Sequence, residues 1–337
     1  MSWAFANPRA RDTAPDGLSF PGGMKLRRYV LAALALLASV PAQAAGDTVA
    51  LTFDDLPIMT LLHAQSYADY TNKILLRGLR RHHLPAIGFV NEGKFDDLER
   101  AAQIDILRQW LDAGMNLGNH TFSHESPNKL LADGYIRDIA RGEQVTRPML
   151  AARHRDLRWF RHPYLETGMP LATKLKINNW LAAHGYRIAP VTMENSDWLF
   201  SEPYDDAIAR HDKARIRRIK ASYLAYTAKI VPWYQRAGHQ LLGRDMSFVM
   251  LLHDTRLNAD CIDDLAALFK KNRLRPVTLE KAMSDPAYRI VDPYVGADGI
   301  EWLERWSQQL HKELPWDSFM DPPAEIDAEY TRIDHDR

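Results

Sequence analysis

The chain has 337 residues, 46% of them hydrophobic, and its 43 Lys plus Arg are matched by 43 Asp plus Glu. That is enough to bury a full core in one large domain or two ordinary ones, and the zero net charge gives no sign of a nucleic-acid partner, which would favour a strongly basic face. Cys261 is the only cysteine, so an intrachain disulfide and a thiolate metal cluster are excluded, and Cys261 itself reads as a small packed hydrophobe.

In chain order, the first recognisable segment starts at Met24. Lys25-Leu26-Arg27-Arg28 forms a basic n-region, Tyr29 to Val40 an apolar h-region, and Ala42-Gln43-Ala44 a small-residue cleavage site. This predicts a signal peptide over 24–44, a mature chain from near Ala45 and a periplasmic or secreted protein. An uncleaved anchor is the weaker reading, because the h-region is short for a bilayer. Residues 1–23 precede that signal, which predicts that they are a mis-assigned extension.

From residue 46 onward, β-rich runs alternate with helical patterns. The predicted strands are Thr48–Phe53, Ala86–Val90, Met115–Gly118, Leu157–Arg161, Tyr186–Val191, Ser247–Leu252 and Arg275–Leu279. Helical periodicity covers Phe95 to Ala113, stopped by Gly114, and Lys174 to His184, stopped by Gly185. The alternation argues for βαβ units around a parallel sheet, open or closed, and seven strands suit a barrel with one unit fewer than eight. Residues 201–246 read as a helical insertion, with Ile216, Ile219, Tyr223, Tyr226 and Ile230 on one face packed against the barrel's flank. The basic run Lys213, Arg215, Arg217, Arg218 and Lys220 reads as a solvated face. The barrel is expected over 45–285. In the extension from 286 to 337, the first half is expected to pack across the barrel and the acidic end to be loosely held.

Chemistry gathers where the predicted strands end, since in parallel α/β folds the loops after the strands share one face. His120 and His124, in His120-Thr121-Phe122-Ser123-His124, read as half of a metal site that suits Zn²⁺ or another borderline cation. Such a site usually needs a third ligand, and Asp54-Asp55 is its best supplier. Arg161-His162-Pro163-Tyr164, Asp197-Trp198 and His253-Asp254 follow other strands and are expected to converge on the same face.

The five motifs T-F-D-D at 52–55, H-T-F-S-H at 120–124, R-H-P-Y at 161–164, S-D-W at 196–198 and L-L-H-D at 251–254 resemble, in order, those of the polysaccharide deacetylases, the NodB-homology carbohydrate esterases. The resemblance covers roughly residues 46–285. It implies a distorted (β/α)7 barrel carrying one divalent metal ion, Zn²⁺ first and Co²⁺, Ni²⁺ or Fe²⁺ as alternatives, held by Asp55, His120 and His124. It further implies Asp54 as general base paired with Arg161, the backbone N–H of Tyr164 as oxyanion donor and His253 as general acid. Trp198 and Leu252 would wall the slot for an acetyl methyl group.

Two departures stand out. Where the family places an acidic residue four before the tryptophan, this chain has Glu194, with Asp197 directly before Trp198. Either could support His253, and Asp197 is the preferred reading. His162 stands between the arginine and the proline, either lining the groove or filling space. The resemblance thus implies metal-dependent hydrolysis of an N-acetyl, or an O-acetyl, group on a glycan. The alternatives are an amidohydrolase acting on a non-glycan amide and a non-catalytic glycan-binding module of the cell envelope. The expected partner is an acetylated glycan or oligosaccharide, without nucleic acid and without a stable membrane span once the signal is cleaved.

Overall fold

The structure, a computed structural model, describes residues 46–333. The expected signal peptide and the extension before it lie outside the described residues. The strand β1 (Thr48–Leu56) leads through α1 (Gln65–Arg81) to β2 (Ala86–Val90), through α2 (Arg100–Asp112) to β3 (Asn116–Asn119), and through α3 (Pro127–Arg141) and the short α4 (Thr146–Ala151) to β4 (Trp159–Phe160). The chain continues through α5 (Leu171–Ala183) to β5 (Arg187–Ile188), through α6 (Asp197–Ala209) and α7 (Lys213–Leu242) to β6 (Ser247–His253), and through α8 (Arg256–Lys271) to β7 (Arg275–Pro276). Three further helices follow, α9 (Leu279–Ala282), α10 (Trp302–Leu310) and α11 (Ala324–Ile333).

Every strand pairing is parallel, in the order β5-β4-β3-β2-β1-β6, with β7 added at the start of β1. Past β5 the chain reaches round to β6, where Met193 bridges Met250 and Thr192 N donates to Val249 O at 3.0 Å. The sheet therefore curls toward closure, giving the distorted seven-stranded barrel that the motif pattern implies. β1 is buried along its whole length, as a central strand covered on both faces must be. The predicted strands near 157, 186 and 275 shorten to two residues each.

Helix stops fall where the glycines are: Gly114 and Gly185 take φ of +86° and +77°, a region costly for residues with a Cβ. The helix expected from Phe95 starts later, at Arg100. Residues 92–96 instead form a tight turn with Phe95 fully buried, and Gly93 N donates to Phe122 O at 3.0 Å, which ties this turn to a neighbouring loop. α1 packs along α8 so closely that a Cβ on Gly78 would lie 2.2 Å from Ile262 Cγ2.

The insertion is helical, as its periodicity predicts, with Ile219, Tyr223, Tyr226 and Ile230 buried. It contains two helices broken at residues 210–212, where His211 takes φ +55° and Asp212 caps α7 by accepting from Ala214 N and Arg215 N. Its basic run is not merely solvated: Arg215 pairs with Asp206 and Glu329, Arg218 with Glu329, and Lys220 with Asp264. The end of the chain is correspondingly less loose than expected, as far as residue 333. α11 packs on α6 with Ile326 fully buried, and Tyr330 meets the ring of Trp198 edge-on at 5.2 Å.

Candidate active site

β1 does not stop at Phe53. It runs to Leu56, but its register against β2 shifts between Phe53 and Leu56, and Asp55 takes φ +67°. Alternation along a regular strand would send Asp54 and Asp55 to opposite faces. The local irregularity brings both to one side, where His120 Nε2 lies 3.7 Å from Asp54 Oδ2 and 3.7 Å from Asp55 Oδ1.

The two histidines come from the loop after β3, which is built from side chain to backbone bonds. Asn119 Oδ1 accepts from Thr121 N at 2.7 Å and Thr121 Oγ1 from His124 N at 3.0 Å, while Thr121 and His124 both have positive φ. His124 Nε2 then sits 3.4 Å from Asp55 Oδ1. The Nδ1 of His120 lies 2.9 Å from Arg161 O, a group that only accepts, so Nδ1 carries the proton and Nε2 presents its lone pair. Burial pushes the His120 pKa well below the ordinary value and keeps the ring neutral.

This trio fits a divalent cation. One ligand atom from each of Asp55, His120 and His124 lies within 4.8 Å of the others. Asp55 Oδ1 is buried without a hydrogen-bond partner among the described residues, which is costly unless a cation or donor completes it. Burial would raise the Asp55 pKa, but Lys94 at 3.2 Å and the two histidines hold it well below the usual carboxylate range. Two imidazoles and one carboxylate are a common donor set for an open catalytic Zn²⁺ site.

Arg161 is fully buried and fixed through each of its three nitrogens. Nε donates to Ala189 O at 2.7 Å, Nη2 to Thr52 Oγ1 at 3.0 Å and Nη1 to Asp54 Oδ2 at 3.1 Å. Burial raises the Asp54 pKa to about 6, against the opposing pull of Arg161 and His253. On the other side, the end of β6 presents His253, whose register partner on β1 is Asp54. His253 Nδ1 lies 2.8 Å from Asp197 Oδ1, and its backbone N donates to Asp197 Oδ2 at 2.7 Å. Burial lowers the His253 pKa, but Asp197 and the two site aspartates outweigh it and bring it up to about 9. Asn258 steadies this pair, donating to Asp197 Oδ2 and, at 2.9 Å, to His253 O, while Tyr223 Oη donates to its Oδ1 at 2.6 Å.

Between these two halves lies a cavity of about 610 Å³ bordered by Asp54, Asp55, both loop histidines, Tyr164, Trp198 and His253. Asp197, the first residue of α6, is thus the one that touches His253. Glu194 also borders the cavity but hydrogen-bonds Glu301, a carboxyl pair that holds a proton and pushes Glu194 up to about 8 through burial and the neighbouring charge. The expected wall residue Leu252 does not reach the cavity: it is fully buried in the core cluster that also holds Phe53, and Leu251 borders the cavity instead. Strand alternation is the reason, because with His253 facing inward the same face is next presented by 251.

His162 is buried, its Nδ1 3.0 Å from Tyr135 Oη and its ring stacked on Tyr135 at 5.8 Å. Burial takes its pKa down to about 3, so it stays neutral and borders the cavity from beneath. Sequence reasoning missed Lys94, which follows β2. Its signal was a lysine in the segment that follows a strand end, the same kind of position that supplies the other site residues.

The family model described as Polysaccharide deacetylase matches residues 42–189. A peptidoglycan-N-acetylglucosamine deacetylase from Bacillus cereus is 28% identical over 153 residues, 44% of this chain and 46% of that protein, so the chain spans less than half of this relative's length. Among solved structures, the chitin deacetylase from the fungal pathogen Colletotrichum lindemuthianum superposes with a TM-score of 0.50 at 20% identity, covering 71% of this chain and 88% of that one, a likeness of fold. A family 4 carbohydrate esterase from Streptomyces lividans gives 0.46 at 19% identity, over 71% and 96% of the two chains. Residues 42–189 are thus similar to the polysaccharide deacetylase family, and the fold around them is like that of the chitin deacetylase.

Proposed function

We propose that the protein is a metal-dependent deacetylase that hydrolyses an N-acetyl group on a glycan. The observation that carries this reading is the split architecture of the cavity: a cation-binding trio with Asp54 on one side and a carboxylate-supported His253 on the other. A divalent ion held by Asp55, His120 and His124 would supply Lewis acidity, polarising the amide carbonyl and making water acidic enough to react near neutral pH. Asp54, held in place by Arg161, takes the proton of the attacking water, and His253 delivers a proton to the departing amine nitrogen. Tyr164 contributes its backbone N–H to the carbonyl oxygen, while Trp198 and Leu251 border the acetyl methyl. Asp54 is ionised above about pH 6 and His253 remains charged up to about 9, so both groups are ready in the window between.

The glycan partner follows from the family and from the name of the Bacillus cereus relative, which makes peptidoglycan fragments the first substrates to try. The leader pattern at 24–44 supports a periplasmic or secreted location. No helix among the described residues is long and apolar enough to cross a membrane.

The test is acetate release from peptidoglycan fragments, chitooligosaccharides and acetylated xylan by Zn²⁺-loaded protein, with chelator and Asp54→Asn as controls. Release that both controls abolish is the expected result. Metal bound tightly without release from any glycan would turn the reading to a non-glycan amide, and absence of metal binding would turn it to a binding module.

A further inference from the structure

The segment beyond the barrel does more than cover it. Arg305, in α10, is fully buried, and its Nη2 donates to Leu165 O at 2.7 Å, its Nη1 to Thr167 Oγ1 at 3.2 Å and to Asp292 Oδ2 at 2.9 Å, and its Nε to Ile300 O at 2.9 Å. The carbonyl it grips belongs to a strained turn. Tyr164 and Leu165 have φ of +55° and +57°, positions that are strained for residues with a Cβ and persist only where the surroundings over-determine them. Gly299, also outside the barrel, lies on the other side of this turn, where a Cβ would fall 1.5 Å from Tyr164 O. The turn presents the Tyr164 ring edge-on to His124 with 4.6 Å between centroids, and Tyr164 and Gly299 both border the cavity.

We propose that Arg305 and Gly299 are positioning residues of the catalytic pocket, clamping the Tyr164–Leu165 turn in its left-handed form so that Tyr164 is held beside His124 and the acetyl carbonyl. The inference rests on the deacetylase reading above and extends the working site to residues 292–305, well past the stretch that matches the family model. The second half of the segment behaves consistently: Trp302 N donates to Val191 O at 2.8 Å, joining it to the loop that carries Glu194 and Asp197.

The test is steady-state kinetics of Gly299→Ala in the full chain, together with Zn²⁺ affinity by calorimetry. A displaced Tyr164 lowers kcat by about tenfold to a hundredfold, while KM and Zn²⁺ affinity change by less than about threefold. Tyr164→Gly separates positioning from general loosening, since glycine takes the left-handed turn without strain. The backbone N–H that acts on the carbonyl oxygen remains in that variant, and the added methyl still meets the backbone oxygen of residue 164, so Gly299→Ala is expected to cost at least as much on that background as in wild type. Asp292→Asn, which keeps the side-chain volume and removes one charge partner of Arg305, gives a second and milder variant with the same split. A kcat for Gly299→Ala within about twofold of wild type, or a cost below about threefold on the Tyr164→Gly background, overturns the inference while wild-type release upholds the deacetylase reading. No metal-dependent release by the wild-type chain overturns that reading and this inference with it.

Discussion

Replacing Asp197 by Asn tests the acid half of the site. His253 and Asp197 are 2.8 Å apart and nearly buried, so their charge centres lie about 4 Å from each other; at an effective dielectric of about 20 that attraction amounts to about 4 kcal/mol, or about three pH units on the imidazole. Without the carboxylate, the His253 pKa would fall from about 9 to about 6. The raised pKa makes the sign definite: the charged pair stabilises the folded chain fully below the ordinary histidine range and loses that contribution as pH rises through about 9. For catalysis, the alkaline limb of kcat/KM should move down by about three pH units, and the rate at pH 7.5 should fall by about thirtyfold as the protonated fraction drops to a few per cent. The assay is acetate release by metal-loaded protein from pH 5 to 10. An alkaline limb still near 9 in the variant would refute the assignment of that limb to the His253–Asp197 pair.

Other substitutions separate the remaining parts. Asp55→Ala should weaken Zn²⁺ binding at least a hundredfold by calorimetry, whereas Asp54→Asn should leave it within about tenfold and lower acetate release at least a hundredfold; equal loss of metal in both would contradict the division between ligand and base. His162→Ala strips Tyr135 Oη of its partner and opens a cavity beneath the pocket, so chemical denaturation should show a loss of about 2–4 kcal/mol with Zn²⁺ affinity unchanged. Unchanged stability with a raised KM would make His162 a substrate contact instead. Gly78→Ala drives a methyl into Ile262, which is stiff at its branch point, and should cost about 1–3 kcal/mol. Combining it with Ile262→Ala should cost less than the sum, and full additivity would mean that the two helices simply move apart.

The barrel was legible because its signal is spread over many residues. Ala86–Val90 was located to the residue, and seven strands, two glycine stops and the amphipathic stripe of α7 all pointed to one architecture. The site was legible because strand ends share a face, so Asp55, His120, His124, Arg161 and His253 meet although up to 198 residues separate them. Two features were misread, one against the local pattern and one for want of a distant partner. Leu252 was misplaced, although the inward position of His253 implied Leu251 by alternation alone. Asp197 supports His253 as the sequence reading prefers, while Glu194 is engaged by Glu301, a partner more than a hundred residues away in the extension that no local pattern shows. α11 was read as loose because its composition is acidic, but Glu329 neutralises Arg215 and Arg218 while Ile326 enters the core, a pairing across 111 to 114 residues.

The backbone around the pocket has a thermal consequence. Asp55, at the irregular end of β1, and Thr121, His124, Tyr164 and Ser196, in the segments that follow strands, all hold positive φ, while the body of the sheet beneath them is buried. Conformational energy is therefore concentrated at the mouth and the restoring forces in the barrel, as in a set spring on a rigid frame. On heating, the mouth should relax first, so hydrolysis fades at temperatures where far-ultraviolet circular dichroism still reports an intact barrel, and a bound divalent ion, by joining the end of β1 to the loop after β3, narrows the gap between the two temperatures.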